Sequence, residues 1–289
     1  MNRPPISVVI PCKDEETHLV DCVRSVLGWA DEILIADSGS TDKTLAIAHD
    51  FCETYPEVCR LVQREFISFG SFKGWAVNQC RHDWVFVLDA DERMTPALRR
   101  EIDKVLSKSD RPDAFLAGFE HRFLGYRIRH GSWNHKVVRL FRRSVANYDA
   151  KAVHEKVVVS TGRVGVLKGR VEHWTCTCLD KWYQKKNRYT TAGALERWKR
   201  GKRTHLWDLA LRPIAVFVRG YIVKLGFLDG LGGFLVAVDD AFTVFQTYLK
   251  LWAIAHQRAS EGLSTPWPTA VVQPTLPKKR GTLSTQGLY

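Results

Sequence analysis

The sequence has no long uncharged apolar run. Its most apolar stretch, Pro213 to Val238, is interrupted by Arg219, Lys224 and Asp229, so it falls far short of the ~20 residues that a spanning helix needs. No membrane-crossing helix is expected. The first residues, Met1-Asn2-Arg3-Pro4-Pro5 and then Ile6-Ser7-Val8-Val9-Ile10, carry neither the apolar core nor the small-residue cleavage site of a secretory signal. Export is therefore not expected either. Cysteines number seven, an odd count that fits unpaired thiols in a reducing compartment. Cys176 and Cys178 stand as C-x-C with no second pair behind them, which argues against structural zinc. After the first apolar run there is no G-x-G-x-x-G, so a dinucleotide-binding dehydrogenase is excluded. The turn there, Pro11 to Glu16, is acidic rather than rich in glycine and Arg/Lys, which counts against a nucleotidyltransferase gripping a triphosphate. No internal repeat is present.

What remains is a chain of 289 residues with 45% hydrophobic content, enough for one large domain and an appendage. Its net charge of +12 is uneven, with 11 Lys/Arg against 16 Asp/Glu in residues 1–100 and 32 against 15 in the rest. A basic surface is expected in the later part. Ile6 to Ile10, Ile33 to Ala36 and Trp84 to Leu88 are apolar runs without alternation. Each precedes a segment of helical period: Glu15 to Trp29, Asp42 to Tyr55, and Thr95 to Ser107 with Thr95 as N-cap before Pro96. Leu61-Val62 suggests a weaker strand, and Phe72 to Cys80 a further helix. This rhythm predicts an α/β fold, a mostly parallel sheet with helices on both faces. Ligands of such sheets sit at the carboxyl ends of the strands.

Further extended segments are expected at 114–119, 136–141, 153–159 and 164–171. From Leu179 the chain turns helical, with nine Lys/Arg between Lys181 and Arg203 among Trp182, Tyr183, Tyr189 and Trp198. Glycines 226, 230, 232 and 233 are expected to break the apolar stretch into two helices, with another apolar helix at 241–255. A catalytic domain is thus expected at 1–175, a helical appendage at 176–262, and a disordered tail at 263–289.

Asp89-Ala90-Asp91 sets two carboxylates just past a buried strand. Such groups need cationic partners, and a divalent ion bound to a diphosphate would supply one; a solvated turn is the plain alternative. Asp37 ends the second strand within Asp37-Ser38-Gly39-Ser40-Thr41-Asp42, where it can contact a ribose or base, while Thr41 or Asp42 can serve simply as an N-cap. Lys73 fits a phosphate or base contact, or an ordinary solvated lysine.

The ordered motifs Pro11-Cys12-Lys13-Asp14-Glu15-Glu16, Ile35-Ala36-Asp37-Ser38-Gly39-Ser40-Thr41-Asp42 and Val87-Leu88-Asp89-Ala90-Asp91-Glu92-Arg93 resemble the family 2 glycosyltransferases of GT-A fold, in the branch of lipopolysaccharide core β-glucosyltransferases. Val153-His154-Glu155, His173 and Tyr221 to Gly230 extend the resemblance across about residues 5–255. It implies an inverting transfer from a nucleotide-diphosphate sugar, UDP by preference, to a lipid-linked or envelope glycan. The implied donor site is Pro11, Lys13, Asp14, Glu15, Asp37, Ser38, Gly39, Lys73, Asp89 and Ala90. Asp89 and Asp91 would hold Mg²⁺ or Mn²⁺; His173 is open as a further ligand, as an acceptor contact or as a hydrogen-bonded structural histidine. An acceptor proton must go to a base, for which Glu155 comes first and Glu120 second; an ion pair with a neighbouring arginine is the other role open to Glu155. The sequence departs from relatives at Asp14 and around Lys73, where they carry Asn and Gln-x-Asn, and this bears on the nucleobase contacts. The basic and apolar helices are expected at the inner face of the cytoplasmic membrane, with burial in a homodimer as the alternative. No nucleic-acid motif is present. A membrane adaptor with a dead transferase fold is the competing reading from another class.

Overall fold

The unalternating strands of the sequence feed two separate cores, as a computed structural model describing residues 3–149 and 156–261 shows. In β1 (Ile6–Cys12) Ile6, Val8 and Ile10 face one core and Val9 the other; in β2 (Glu32–Asp37) Ile33 and Ile35 oppose Leu34 and Ala36. β3 (Cys59–Gln63) is an edge strand, with Cys59 in the first core and Val62 against the second, and in β4 (Trp84–Val87) Trp84 and Phe86 oppose Val85 and Val87. Both faces are therefore dry, and the positions of β1, β2 and β4 are apolar except for buried Ser7, Glu32 and Asp37. Helices α1 (Leu19–Arg24), α2 (Thr44–Thr54) and α4 (Pro96–Leu106) close the first core with Leu19, Val23, Phe51, Leu98 and Ile102. Helix α3 (Phe69–Asn78) closes the second with Phe72, Ala76 and Val77.

The sheet continues through β5 (Glu92–Met94), β6 (Ala114–Phe123), β7 (Tyr126–Ile128), β8 (Lys136–Arg142) and β11 (Val164–Cys176), while β9 (Ala146–Tyr148) and β10 (Val157–Val159) form a small ribbon. Strand order is β3-β2-β1-β4-β8-β6-β11-β5, with β7 on β6. The sheet is mixed, which corrects the expectation of a mostly parallel one. β3, β2, β1 and β4 are parallel, as are β6 and β11, but β8 runs against β4 and β6, β7 against β6, and β5 against β11. Short loops join β6, β7 and β8, and such loops permit only antiparallel neighbours.

Caps set two helix starts. Thr95 accepts the Leu98 N–H at 3.3 Å ahead of Pro96. Ser68 accepts the Ser71 N–H at 3.3 Å, so α3 starts earlier than the apolar pattern suggested and Lys73 falls in its interior. Gly169 lies at the irregularity of β11 between Val166 and Arg170. A Cβ there would meet the Leu98 Cα at 2.8 Å, and Glu101 accepts the Lys168 N–H at 2.9 Å, so β11 is seated directly on α4.

The chain divides into a unit of Met1–Thr177 with Arg219–Val236, and a second of Cys178–Val218 with the chain from Ala237 onward. Composition grouped 219–236 with the appendage, but this segment belongs to the first unit, where Asp229 accepts the N–H groups of Arg129 at 2.8 Å and His130 at 2.7 Å. The second unit contains α5 (Leu179–Lys199), α6 (Leu206–Val218) and the later part of α7 (Gly230–Glu261). The expected gap between residues 238 and 241 does not exist. Gly230, Gly232 and Gly233 all fall in the first turn of α7, and nothing in Ala237-Val238-Asp239-Asp240 interrupts it. Ala194 packs with Leu251 and Ile254, and Lys250 Nζ donates to Asn187 Oδ1 at 2.6 Å.

Candidate active site

Strands β2 and β3 lie on one side of β1 and β4 on the other, so the chain reverses its direction of sheet growth between β1 and β4. Ligands bind beyond the carboxyl ends of strands at such a switch point. The loops after β1 and β2 are bound to each other there. Asp14, at φ +54°, donates its N–H to Ser40 Oγ at 3.0 Å and accepts the Thr41 N–H at 2.7 Å. Glu15 donates its N–H to Thr44 Oγ1 at 2.8 Å. Buried Asp37 accepts from the N–H groups of Gly39 at 2.9 Å and Ser40 at 3.1 Å, and Ser38 Oγ donates to the Cys12 carbonyl at 3.2 Å. Pro11 is half-buried at the end of β1, and Lys13 is exposed. The residues proposed for the nucleoside thus share one corner, whose shape is fixed by their own hydrogen bonds.

The second cluster follows β4. Asp89 accepts from Lys73 Nζ at 2.8 Å and Arg139 Nη2 at 3.0 Å; the same guanidinium nitrogen reaches Glu92 at 2.6 Å, and Glu92 also accepts the Asp89 N–H at 3.0 Å. Ala90 is buried, its carbonyl accepting from Arg93 Nη1 at 3.0 Å. The short strand β5 pairs Glu92 with His173 of β11, which brings His173 Nε2 to 3.1 Å from Asp91 Oδ2. Two buried cations and three acids thus meet at one strand end, which satisfies the requirement that buried charge be paired.

This balance sets the protonation states. Burial pushes the Asp89 carboxyl up, but Lys73 and Arg139 outweigh it and hold the group well below its usual value. For Glu92 burial prevails over Arg139, helped by the charge of Asp89, and raises the carboxyl to about 7. Burial lowers His173, yet the hydrogen bond and charge of Asp91 more than reverse it, so its proton is held above the ordinary 6.5. That pair stabilises the fold fully below the unfolded value, and the contribution is lost as pH rises through the higher folded one. His121, buried beside His173 and His135, is pushed down to about 3 and is neutral. Its ring lies 5.0 Å from that of His173 and donates to or accepts from Thr175 Oγ1 at 2.8 Å.

Among the described residues no group of three or more His, Cys, Asp or Glu is arranged to hold a metal alone. Asp91 and His173 present a carboxylate and an imidazole side by side, and Asp89 stands at the same turn. Mg²⁺ and Mn²⁺ sites of nucleotide enzymes use one or two carboxylates and complete their shell with phosphate and water. The residues present fit that mode.

Glu155 lies outside the described residues. Glu120, the second choice for a base, accepts Arg127 Nε at 2.7 Å and is also held by Arg129. Burial raises its carboxyl, but these two arginines prevail and keep it below 4.5, the wrong direction for a base. A depressed carboxylate stabilises the fold above its unfolded value and loses that contribution as pH falls through the folded one. Glu120→Gln is therefore expected to destabilise the protein at pH 7 and to flatten the loss of melting temperature below about pH 4.5; a parallel acid limb in the variant and the parent would contradict this. Glu92, Arg139, His121 and His135 were not singled out from the sequence. The signal available was the charge balance: acids at residues 89, 91 and 92 call for a cation besides Lys73, without naming which.

The family profile of Glycosyl transferase family 2 matches residues 7–167, a span from the first strand through the paired aspartates and beyond. The chain belongs to glycosyl transferase family 2. It is 32% identical over 255 residues to the lipopolysaccharide core biosynthesis glycosyltransferase LpsC of Rhizobium meliloti, covering 86% of this chain and 92% of that protein. An uncharacterized glycosyltransferase of Rickettsia typhi is 28% identical over 258 residues, covering 85% and 86%. The GT-A-like fold is shared with a mannosyltransferase of Pyrobaculum calidifontis solved with GDP-mannose and Mn²⁺, at TM-score 0.52 and 13% identity over 86% of this chain and 87% of that one. Within this family 2 member, the profile match spans both clusters at the strand ends except His173.

Proposed function

We propose that this glycosyltransferase moves a hexose, with inversion, from a UDP-sugar to a hydroxyl of a lipid-linked or cell-envelope glycan. The observation that carries the reading is Asp89-Ala90-Asp91 at the carboxyl end of β4, with Asp89 gripped by Lys73 and Arg139 and Asp91 by His173. The relative named for lipopolysaccharide core biosynthesis supports the acceptor class. Asp14, Glu15 and Asp37 take the nucleoside in the corner their loops form. Asp91 and His173, with Asp89, hold Mg²⁺ or Mn²⁺, which when bound neutralises charge on the departing diphosphate. Glu155 takes the proton of the acceptor hydroxyl; its oxygen forms a bond to the anomeric carbon as the carbon–oxygen bond to the diphosphate breaks, and the nucleoside diphosphate leaves. A single displacement inverts that carbon. Seven free cysteines suit the reducing cytoplasmic side, and we assign the reaction to the inner face of the cytoplasmic membrane.

Calorimetric titration tests the donor site. UDP is expected to bind only with Mn²⁺ or Mg²⁺ present, more tightly than GDP, and His173→Gln to weaken the metal dependence. No binding of UDP, GDP or deoxythymidine diphosphate under any metal condition would overturn the reading in favour of a non-enzymatic adaptor.

A further inference from the structure

Helix α6 has no buried residue at all. Trp207, Leu211, Ile214 and Val218 are 75%, 61%, 59% and 43% exposed, and their spacing of i, i+4, i+7 and i+11 puts them in one stripe. On the part of α7 in the same unit, Val238, Phe242 and Leu249 repeat that spacing and are likewise exposed. The two helices enclose an open groove of about 350 Å³, to which α6 contributes Pro213, Ile214 and Phe217, and α7 Val238, Phe242 and Phe245. Its lining has no polar surface. An apolar area of this kind on a folded chain marks a binding surface, and the charge around it indicates for what. Cys178–Val218 carries ten Lys/Arg against three Asp/Glu, and Lys181, Lys185, Arg188, Lys199, Lys202 and Arg203 are exposed.

We propose that this face docks in the plane of an anionic bilayer, with the α6 stripe immersed at the acyl boundary, the groove taking lipid hydrocarbon, and the lysines and arginines of 181–203 on the head groups. Among the described residues no single helix is long and apolar enough to cross a membrane, although Leu206–Val223 and Gly226–His256 together pass by length and composition as a pair bent by 71°; the bend and the exposed cations beside it favour a helix lying in the interface. Interfacial helices have this composition, apolar and tryptophan-bearing on one side with basic residues at head-group level. A second copy of the chain would bring the same excess of positive charge to the contact and so repel; anionic lipid attracts it. The proposal deepens the membrane assignment made above but does not depend on the transferase chemistry.

The test is co-sedimentation of the full chain with vesicles of phosphatidylcholine alone and of phosphatidylcholine mixed with phosphatidylglycerol, at low and high salt. Binding is expected only to the anionic vesicles, falling with salt. Neutralising three of the exposed cations, as Lys181→Gln, Lys185→Gln and Arg188→Gln together, should weaken it on the order of 100-fold. Leu211→Asp with Ile214→Asp should abolish it. Circular dichroism and UDP binding, both expected to match the parent, show that these variants fold and that the donor site is a separate matter. Equal binding to neutral vesicles, binding untouched by the Leu211 and Ile214 changes, or a dimer in light scattering that those changes dissociate while vesicles are ignored, would each overturn the proposal.

Discussion

Asp91→Ala is expected to lower kcat/KM for sugar transfer by about three orders of magnitude, near 4 kcal/mol of transition-state stabilisation, while leaving the protein folded. The two effects separate because of where Asp91 sits. It is part-exposed, and its side-chain ion pair with His173 is 3.1 Å long. Loss of a part-exposed pair costs about 1 kcal/mol or less, and His173 without its carboxylate can simply release its proton. In the reading advanced here the same carboxylate is a metal ligand, and few other donors stand near to replace it. Nucleotide release from a UDP-sugar, measured with Mn²⁺ in excess, gives the rate; thermal melting gives the stability. Activity within tenfold of the parent would remove Asp91 from the metal site. A loss of activity matched by a collapse in melting temperature would make it a structural residue instead.

Asp91 and Arg139 illustrate how far the sequence reaches. Asp91 was legible because its motif follows an apolar run that can only be a buried strand, and a strand end is a place known in advance. The leading half of the sheet was legible for the same reason, since strands covered on both faces read as nearly continuous apolar runs, as β1, β2 and β4 do apart from Ser7, Glu32 and Asp37. Arg139 was not legible. It lies in β8, about fifty residues from Asp89, and nothing in Lys136 to Arg142 says that this strand will insert between β4 and β6. Antiparallel insertion depends on loop lengths and on which strand edge remains open, and neither leaves a local signature. His173 reaches Asp91 through a similarly non-local step: the three-residue strand β5 pairs with the far end of β11, whose seat on α4 requires glycine at 169. Lys73 shows the intermediate case. It was identified as a candidate contact, but the capping by Ser68 that turns it into the helix interior and onto Asp89 depends on a residue outside the apolar pattern.

Arg139→Met tests whether this non-local cation sustains the site as strongly as its position indicates. The side chain is buried and bridges Asp89 and Glu92 through one nitrogen, with the guanidinium 5.2 Å from the Phe119 ring. Methionine keeps much of the volume but leaves buried Glu92 and part-exposed Asp89 with Lys73 as the remaining close buried cation. Removing one partner of a buried ion pair costs about 3–5 kcal/mol, so the melting temperature should fall by roughly 6–20 °C. Glu92→Gln alone should cost much less, because burial already drives that carboxyl towards its neutral form. Combining the two should therefore restore part of the lost stability, with a coupling energy of about 0.5–3 kcal/mol in a double-mutant cycle. Such recovery would identify unpaired acid as the source of the defect rather than the change in shape. A double variant no more stable than Arg139→Met would assign the loss to packing against Phe119, and a melting temperature within about 2 °C of the parent would mean that Lys73 suffices to balance Asp89. In either case Arg139→Met should also weaken UDP binding, since Asp89 would be left to a single flexible lysine at the turn that the donor must approach.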